Sequence, residues 1–238
     1  MDSVHQISNK FPAQRFDGAG GCLRLLRTER KSISTTAARG QPVYDRLATH
    51  YERIIGPLER RWLGRLRVEL MRELPRDGAR LLEVGAGTGL NFRHYPRGAC
   101  GVASELSREM LIIARDKPER PEGVRLVQAR AEQLPFADGA FDAAFATLVF
   151  CSVASPAEVF TELRRVVRPG GTIALLEHVR PAGLLGHAFD ALSLCTVPLF
   201  DDHFNRRTAE EARRAGLTPR RVENHLRGIV QLIVCGVS

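Results

Sequence analysis

The sequence predicts an α/β fold, doubly wound around a mostly parallel sheet of seven strands with helices on both faces. Three observations carry that expectation. Leu81-Leu82-Glu83-Val84 suits a buried parallel strand and runs straight into Gly85-Ala86-Gly87-Thr88-Gly89, where three glycines at alternate positions strip the turn of side chains. Strand-like runs then alternate with helical patterns down the chain, as in consecutive βα units. Glu105 follows Gly85 by about twenty residues, the distance at which a carboxylate closes the end of a second strand. Ligands of such sheets bind outside the carboxyl ends of the strands, so the glycine turn marks the expected site.

The chain has 238 residues, 44% hydrophobic and 26% charged, which suits one domain, placed at 41–238 behind a weakly ordered leader, 1–40. Its net charge of +8 comes almost wholly from arginines scattered through helices, because lysine occurs only at 10, 31 and 117. Scattered arginine is a solvated face more often than a nucleic-acid patch, so no nucleic-acid partner is expected. Five cysteines (22, 100, 151, 195, 235) show no C-x-x-C spacing and no even count, which speaks against a disulfide framework or a metal site and fits a reducing cytoplasm. No apolar stretch approaches the roughly 18 residues of a membrane span. Residues 1–40 lack a signal-peptide core, and Asp2 and Asp17 fit a transit peptide poorly.

In chain order, Tyr44, Leu47, Tyr51, Ile54, Leu58, Trp62, Leu66 and Leu70 recur every three or four positions, the amphipathic pattern of a helix pair over 41–74 packed on the core edge. Gly56-Pro57 should split it in two, with Pro57 opening the second helix. Arg53, Arg60, Arg61, Arg65 and Arg67 fall on its outer face, where peripheral contact with an anionic membrane is the sharper reading and a solvated surface the blander one. Ala99–Ala103 reads as strand two, with Ser107 as N-cap of the next helix. Val124–Ala129 is strand three. Asp138–Asp142 turns into strand four, Ala143–Val149, after which Phe150-Cys151-Ser152-Val153 should sit at the strand's carboxyl end and face the reacting groups. Ser155-Pro156-Ala157-Glu158 is a capping box, Arg168-Pro169-Gly170-Gly171 a turn into strand five, and Thr208-Ala209-Glu210-Glu211 a second capping box before Gly216. Strands at about 218–223 and 229–235 close the sheet.

Two cofactor classes use such a glycine turn. The dinucleotide fingerprint is G-x-G-x-x-G, whereas here it is G-x-G-x-G with Glu83 two residues before it, a carboxylate that repels a pyrophosphate and attracts a cation. Glu83-Val84-Gly85-Ala86-Gly87-Thr88-Gly89 resembles the first motif of the class I S-adenosylmethionine-dependent methyltransferases. Glu105-Leu106-Ser107 resembles, loosely, that family's acidic second motif; Arg130-Ala131-Glu132-Gln133-Leu134-Pro135-Phe136 resembles its adenine segment, with Arg130 where an Asp is usual; and Val167–Gly171 resembles its turn before strand five. The resemblance covers roughly 43–237. It implies a Rossmann-like sheet with an antiparallel last strand and S-adenosyl-L-methionine as cofactor. On it, Glu83, Gly85 and Gly87 hold the methionine moiety, Glu105 the ribose, and Ala131 and Glu132 the adenine; Ala86, Gly89, Leu106 and Thr147 are further cofactor contacts, as is Tyr44 on the helices at 41–74, which lie over the cofactor as a lid.

Methyl transfer from a sulfonium draws most of its rate from holding reactants close in a dry pocket, so a protein base is optional. His178 and His203 are the candidate bases, each equally readable as a structural histidine. Tyr51, Phe150, Cys151, Asn205 and Arg206 are the candidate substrate contacts. The apolar stretch 181–200, within a substrate-side insertion at 178–207, reads as a helix packed on the sheet or as a hydrophobic acceptor channel. These stretches are similar to soluble-type bacterial phosphatidylethanolamine N-methyltransferases and membrane-associated thiol methyltransferases, while ubiquinone/menaquinone C-methyltransferases share the cofactor half. A lipophilic acceptor follows, with a phospholipid amine first and a quinone, thiol or secondary metabolite behind it. The readings of another class are a basic nucleic-acid-binding protein and a non-catalytic partner subunit.

Overall fold

The computed structural model describes residues 41–238 apart from 77, 201, 202 and 204, with backbone only at 41–43 and 195–200. The leader assigned to 1–40 and part of the 178–207 insertion lie outside the described residues.

Seven strands form one sheet in the order β3-β2-β1-β4-β5-β7-β6. In chain order they are β1 Arg80–Val84, β2 Cys100–Glu105, β3 Val124–Gln128, β4 Phe141–Thr147, β5 Val167–His178, β6 Thr218–His225 and β7 Val230–Gly236. β1 pairs in parallel with both β2 and β4, and β7 runs antiparallel between β5 and β6. The chain therefore leaves β1 in opposite directions on its two sides, and the crevice at that switch point is where a ligand fits.

Alternate residues of each central strand face opposite layers. Leu82, Ala144, Ile173 and Leu175 join Phe136, Phe141 and Phe160 on one side; Leu81, Ala143, Phe145, Ala174 and Leu176 join Leu70 and Phe92 on the other. Both faces are apolar because helices cover both: α2 Gly64–Arg72 packs on β5, as does α4 Pro156–Val166. Truncating a buried Phe145 should cost about 3–5 kcal/mol.

The sheet's lower edge is tied by Asp142. Its carboxylate accepts from the Arg80 amide at 2.8 Å and from Arg168 Nε at 2.7 Å. It thereby spans a bulge where Phe141 pairs with Val167 but Ala143 with Thr172, so the Arg168–Gly171 turn lies within β5 and not before it. Burial alone pushes the Asp142 carboxyl up, but the Arg80 amide and the Arg168 and Arg80 guanidiniums together hold it below the ordinary value.

Two helix expectations need correction. Gly56-Pro57 does not split the first helix: α1 runs Gln41–Leu58 with Pro57 inside it, and helix continues through a π-turn, Glu59–Leu63, into α2. Pro57 removes one N–H from the ladder, and just beyond it Gly64 N donates to Glu59 O five residues back. One extra residue in that turn rotates everything after it by about 100° relative to an unbroken helix. Thr208 does not cap α6, Thr208–Arg214; Arg207 takes that place without a side-chain cap, and Thr208 is buried in the first turn. Ser107 and Ser155 do cap α3, Arg108–Arg115, and α4.

The apolar insertion forms α5, Gly183–Phe200, with Leu184, Leu185, Leu192 and Leu194 exposed. Among the described residues no helix is long and apolar enough to cross a membrane. Cys151 and Cys235 are buried and outside any disulfide, whereas Cys100 is disulfide-bonded, a tie that the cysteine spacing did not predict.

Candidate functional site

A cleft of about 1020 Å³, its open mouth included, lies over the carboxyl ends of β1, β2 and β4. Its floor is the glycine turn. Gly85, Gly87 and Gly89 all have positive φ (68°, 55° and 82°), the conformation that only glycine adopts without cost. They serve different ends. A Cβ on Gly85 would stand 2.3 Å from Val149 Cγ2, and one on Gly89 would stand 2.4 Å from the Phe92 ring, whereas one on Gly87 would meet nothing within 4 Å. Gly85 and Gly87 line the cleft with Ala86; Gly89 serves packing and does not line it.

Glu105 sits where the spacing placed it, at the end of β2 and in the cleft wall, because β2 extends through Ala103-Ser104. Its Oε1 accepts from the Leu106 and Ser107 amides at 2.7 and 2.9 Å, and its Oε2 from Gly87 N at 2.9 Å. Burial nevertheless outweighs these bonds and raises its pKa. A carboxylate offers about four lone-pair sites, so Oε2 keeps room for a further donor. Leu106, Ala131 and Glu132 line the cleft as well. Glu132 accepts from Ala154 N at 2.9 Å, joining the β3 loop to the wall opposite.

Glu83 is the main correction. It is buried but does not line the cleft: its oxygens accept from Asn91 Nδ2 and Tyr95 Oη, each at 2.6 Å. Asn91 also donates to Thr147 Oγ1 at 3.1 Å, and both Asn91 and Thr147 face the cleft. Glu83 thus positions a cleft residue instead of meeting a cation. Burial raises its pKa despite the two donors.

Asn91 leads to a residue read as part of the outer face. Arg67 is 4% exposed and lines the cleft, its Nε on Glu59 Oε1 at 2.9 Å and its Nη1 on Asn91 Oδ1 at 2.8 Å. The π-turn is the reason. In an unbroken helix Arg67 would share a face with Arg60, and the extra residue turns it inward. Its Nη2 remains to meet an anion from the cleft.

The lid closes the top. Tyr44 and Tyr51 of α1 line the cleft, and burial pushes the Tyr51 hydroxyl up to about 12, so it stays neutral. α1 is held over α3 by Ser107 Oγ donating to Asp45 at 2.5 Å and by Lys117 on Glu52 at 2.6 Å.

The far wall, 148–154, turns sharply at Leu148, whose φ of 57° is rare for a branched side chain. Glu177, fully buried at the end of β5, clamps this turn by accepting from the Val149 and Phe150 amides at 3.0 and 3.1 Å. Leu148, Val149, Ser152, Val153 and Ala154 consequently face the cleft. Phe150 instead points into the core, 4.7 Å from Phe160, and Cys151 is buried beside it. His203 N donates to Cys151 O and Arg206 Nη2 to Val153 O, so these two residues brace this wall. Asn205 is exposed there. His178, at the end of β5, does not line the cleft, nor do His203, Asn205, Arg206 or the described residues of α5. Sequence reading missed Arg67, Asn91, Leu148 and Glu177; an acid at the carboxyl end of a central strand was the signal available for Glu177.

A glycine turn open toward a cleft, a carboxylate at the end of β2, an inward guanidinium and a wall of Leu and Val form the site of an α/β enzyme that binds an adenosyl amino acid. A methyltransferase domain family matches residues 82–175. Thiol S-methyltransferase TMT1B of Homo sapiens is 41% identical over 103 residues, 42% of each chain. Ubiquinone/menaquinone biosynthesis C-methyltransferase UbiE of Roseobacter denitrificans is 33% identical over 171 residues, 68% of each. An S-adenosylmethionine-dependent methyltransferase of Thermotoga maritima superposes with a TM-score of 0.65 at 21% identity, over 83% of this chain and 99% of that one. The chain belongs to the class I S-adenosylmethionine-dependent methyltransferase family. It spans about half the length of several of the relatives it matches.

The site fits that family's cofactor. The open side of Gly87 leaves room for it, Glu105 Oε2 can take a ribose hydroxyl, and Arg67 Nη2 can take its carboxylate.

Proposed function

We propose that this chain methylates a lipophilic small molecule that reaches the site already deprotonated, a thiol first and, second, a quinol whose ring carbon is activated by loss of its hydroxyl proton. When bound, S-adenosylmethionine supplies an electrophilic methyl group on a sulfonium. The chain's own part is to position and to keep dry. Leu148, Val149 and Val153 present apolar surface to the acceptor, while Tyr44 and Tyr51 cover it.

The observation that carries this reading is the apolar wall at 148–154. The carboxylates that line the cleft, Glu105 and Glu132, stand at its β2 and β3 side with oxygens on backbone amides, and Tyr51 is neutral, so Leu148, Val149 and Val153 present no base to an acceptor beside them. The acceptor must then lose its proton to water before entry. An ordinary thiol near 8.5 does so about a hundredfold more readily at neutral pH than an alkyl amine near 10.4. Phosphatidylethanolamine, placed first by sequence, therefore ranks behind. The names of two relatives, a thiol S-methyltransferase and a quinone C-methyltransferase, support the same order.

The test is transfer from methyl-labelled S-adenosylmethionine to an alkanethiol, a quinol and phosphatidylethanolamine in parallel. The expected result is thiol methylation with a rate that climbs toward the acceptor's own pKa. Faster turnover of phosphatidylethanolamine at neutral pH would overturn the acceptor assignment.

A further inference from the structure

The helix that carries the lid segregates its charges across its thickness. Its acids all turn toward the body of the protein: Asp45 to Ser107, Glu52 to Lys117, Glu59 to Arg67 and Glu69 toward His225. Arg46, Arg53 and Arg60 recur every seven residues about 100° round the helix from those acids, on the reverse of Tyr44 and Tyr51, and are exposed. The π-turn shifts the stripe by one residue, to Arg61 within it and to Arg65 and Arg72 beyond it, again exposed. The insertion that turns Arg67 inward thus keeps the outer stripe continuous. None of these six guanidiniums forms an ion pair among the described residues. Between them stand Ile54, 65% exposed, Trp62, 41% exposed with Arg61 stacked 5.1 Å from its ring, and Val68.

We infer that this face docks the protein on an anionic lipid bilayer, with the arginines at the headgroups and Ile54 and Trp62 in the interface. Exposed arginine alone would suit any polyanion. The interleaved Ile54, Trp62 and Val68 favour lipid, because Trp and aliphatic side chains gain free energy at the boundary between headgroup and acyl chain. Residues 1–40 are net basic by sequence, with seven Lys and Arg against three Asp and Glu. Tyr44 and Tyr51, on the reverse of the same helix, line the cleft, so docking sets the lid between the bilayer and the site. The inference deepens the lipophilic-acceptor reading by naming the surface from which the acceptor comes. Docking itself can be measured without cofactor or acceptor.

Trp62 is the only tryptophan of the chain, so its fluorescence reports on this face alone. The full chain is titrated with phosphatidylcholine vesicles, with and without phosphatidylglycerol, and then with single-stranded RNA. The expected result is a blue shift and quenching by brominated lipid with the anionic vesicles only, reversed by high salt. Arg53→Glu, Arg60→Glu and Arg61→Glu combined should lower vesicle partition by about a hundredfold, while S-adenosylhomocysteine binding, read calorimetrically, is retained. If that variant does not fold, lipid quenching and salt dependence of the unsubstituted protein decide. An unshifted Trp62 on anionic vesicles, equal binding to neutral ones, or a Trp62 response to RNA in place of lipid would each overturn the inference. Loss of S-adenosylhomocysteine binding in the unsubstituted protein would strike the methyltransferase reading instead.

Discussion

Glu105 and Glu83 are both buried carboxylates at strand ends, and their partners separate their roles. Glu105 holds three backbone amides and faces the cleft, so it shapes the loop and leaves Oε2 open to a ligand's donor. Glu105→Ala should raise the S-adenosylhomocysteine dissociation constant about ten- to a hundredfold, as for loss of charge-assisted hydrogen bonds; calorimetry measures it. Glu83 holds side chains only, and its ionisation has a readable cost. Burial lifts its folded-state pKa above the ordinary 4.5, so the stability it permits is fully present below that value and is lost as pH rises through the folded pKa. Glu83→Gln keeps an acceptor for Asn91 and removes the ionisation. Its urea midpoint should gain on that of the unsubstituted protein as pH rises through this window, and parallel profiles would mean that Glu83 titrates as an exposed acid does. Arg67→Ala leaves the Glu59 carboxylate without its partner and Asn91 half-bonded, which should cost about 3–5 kcal/mol; Arg67→Lys should recover part of the stability but less of the affinity, because an ammonium cannot span Glu59, Asn91 and a ligand at once.

Among the elements, the glycine turn and the 148–154 wall are one mechanical unit. Gly85→Ala places a Cβ against the Val149 side chain at a φ that favours glycine, so both stability and cofactor affinity should fall. Trimming the obstacle with Val149→Ala in the same chain should restore part of the stability, because the clash is with the branch methyls. A double-mutant cycle in thermal melts reads the coupling, and strict additivity would place the two residues apart. The π-turn marks the limit of sequence reading at this scale. Spacing rules assume 3.6 residues per turn, so they set Arg67 beside Arg60; the extra residue in 59–63 turns it inward, where it meets Glu59 and the sequence-distant Asn91, a partner that no local pattern displays. The same holds for Phe150 and Cys151. Their position after β4 was legible, but which side chain faces the cleft is decided by Glu177, distant in sequence, pulling on two amides.

For the whole molecule, topology followed from patterns that are local and strong: apolar runs of strand length, capping serines, and a glycine turn whose spacing selects one ligand class over another. Glu105 was legible because strand length fixes its distance from Gly85. Catalytic histidines were not, since a histidine after a strand reads the same whether it faces a cleft or braces a wall. What the fold assembles is a covered cleft with a polar side that fits the cofactor and an apolar side opposite. The most direct measurement of that claim is calorimetric titration of the full chain with S-adenosylhomocysteine, run beside Glu105→Ala and Gly85→Ala. The expected result is binding at a single site, weakened in both variants. A chain that folds but takes up no S-adenosylhomocysteine, or variants that bind it undiminished, would contradict the assignment of the cleft.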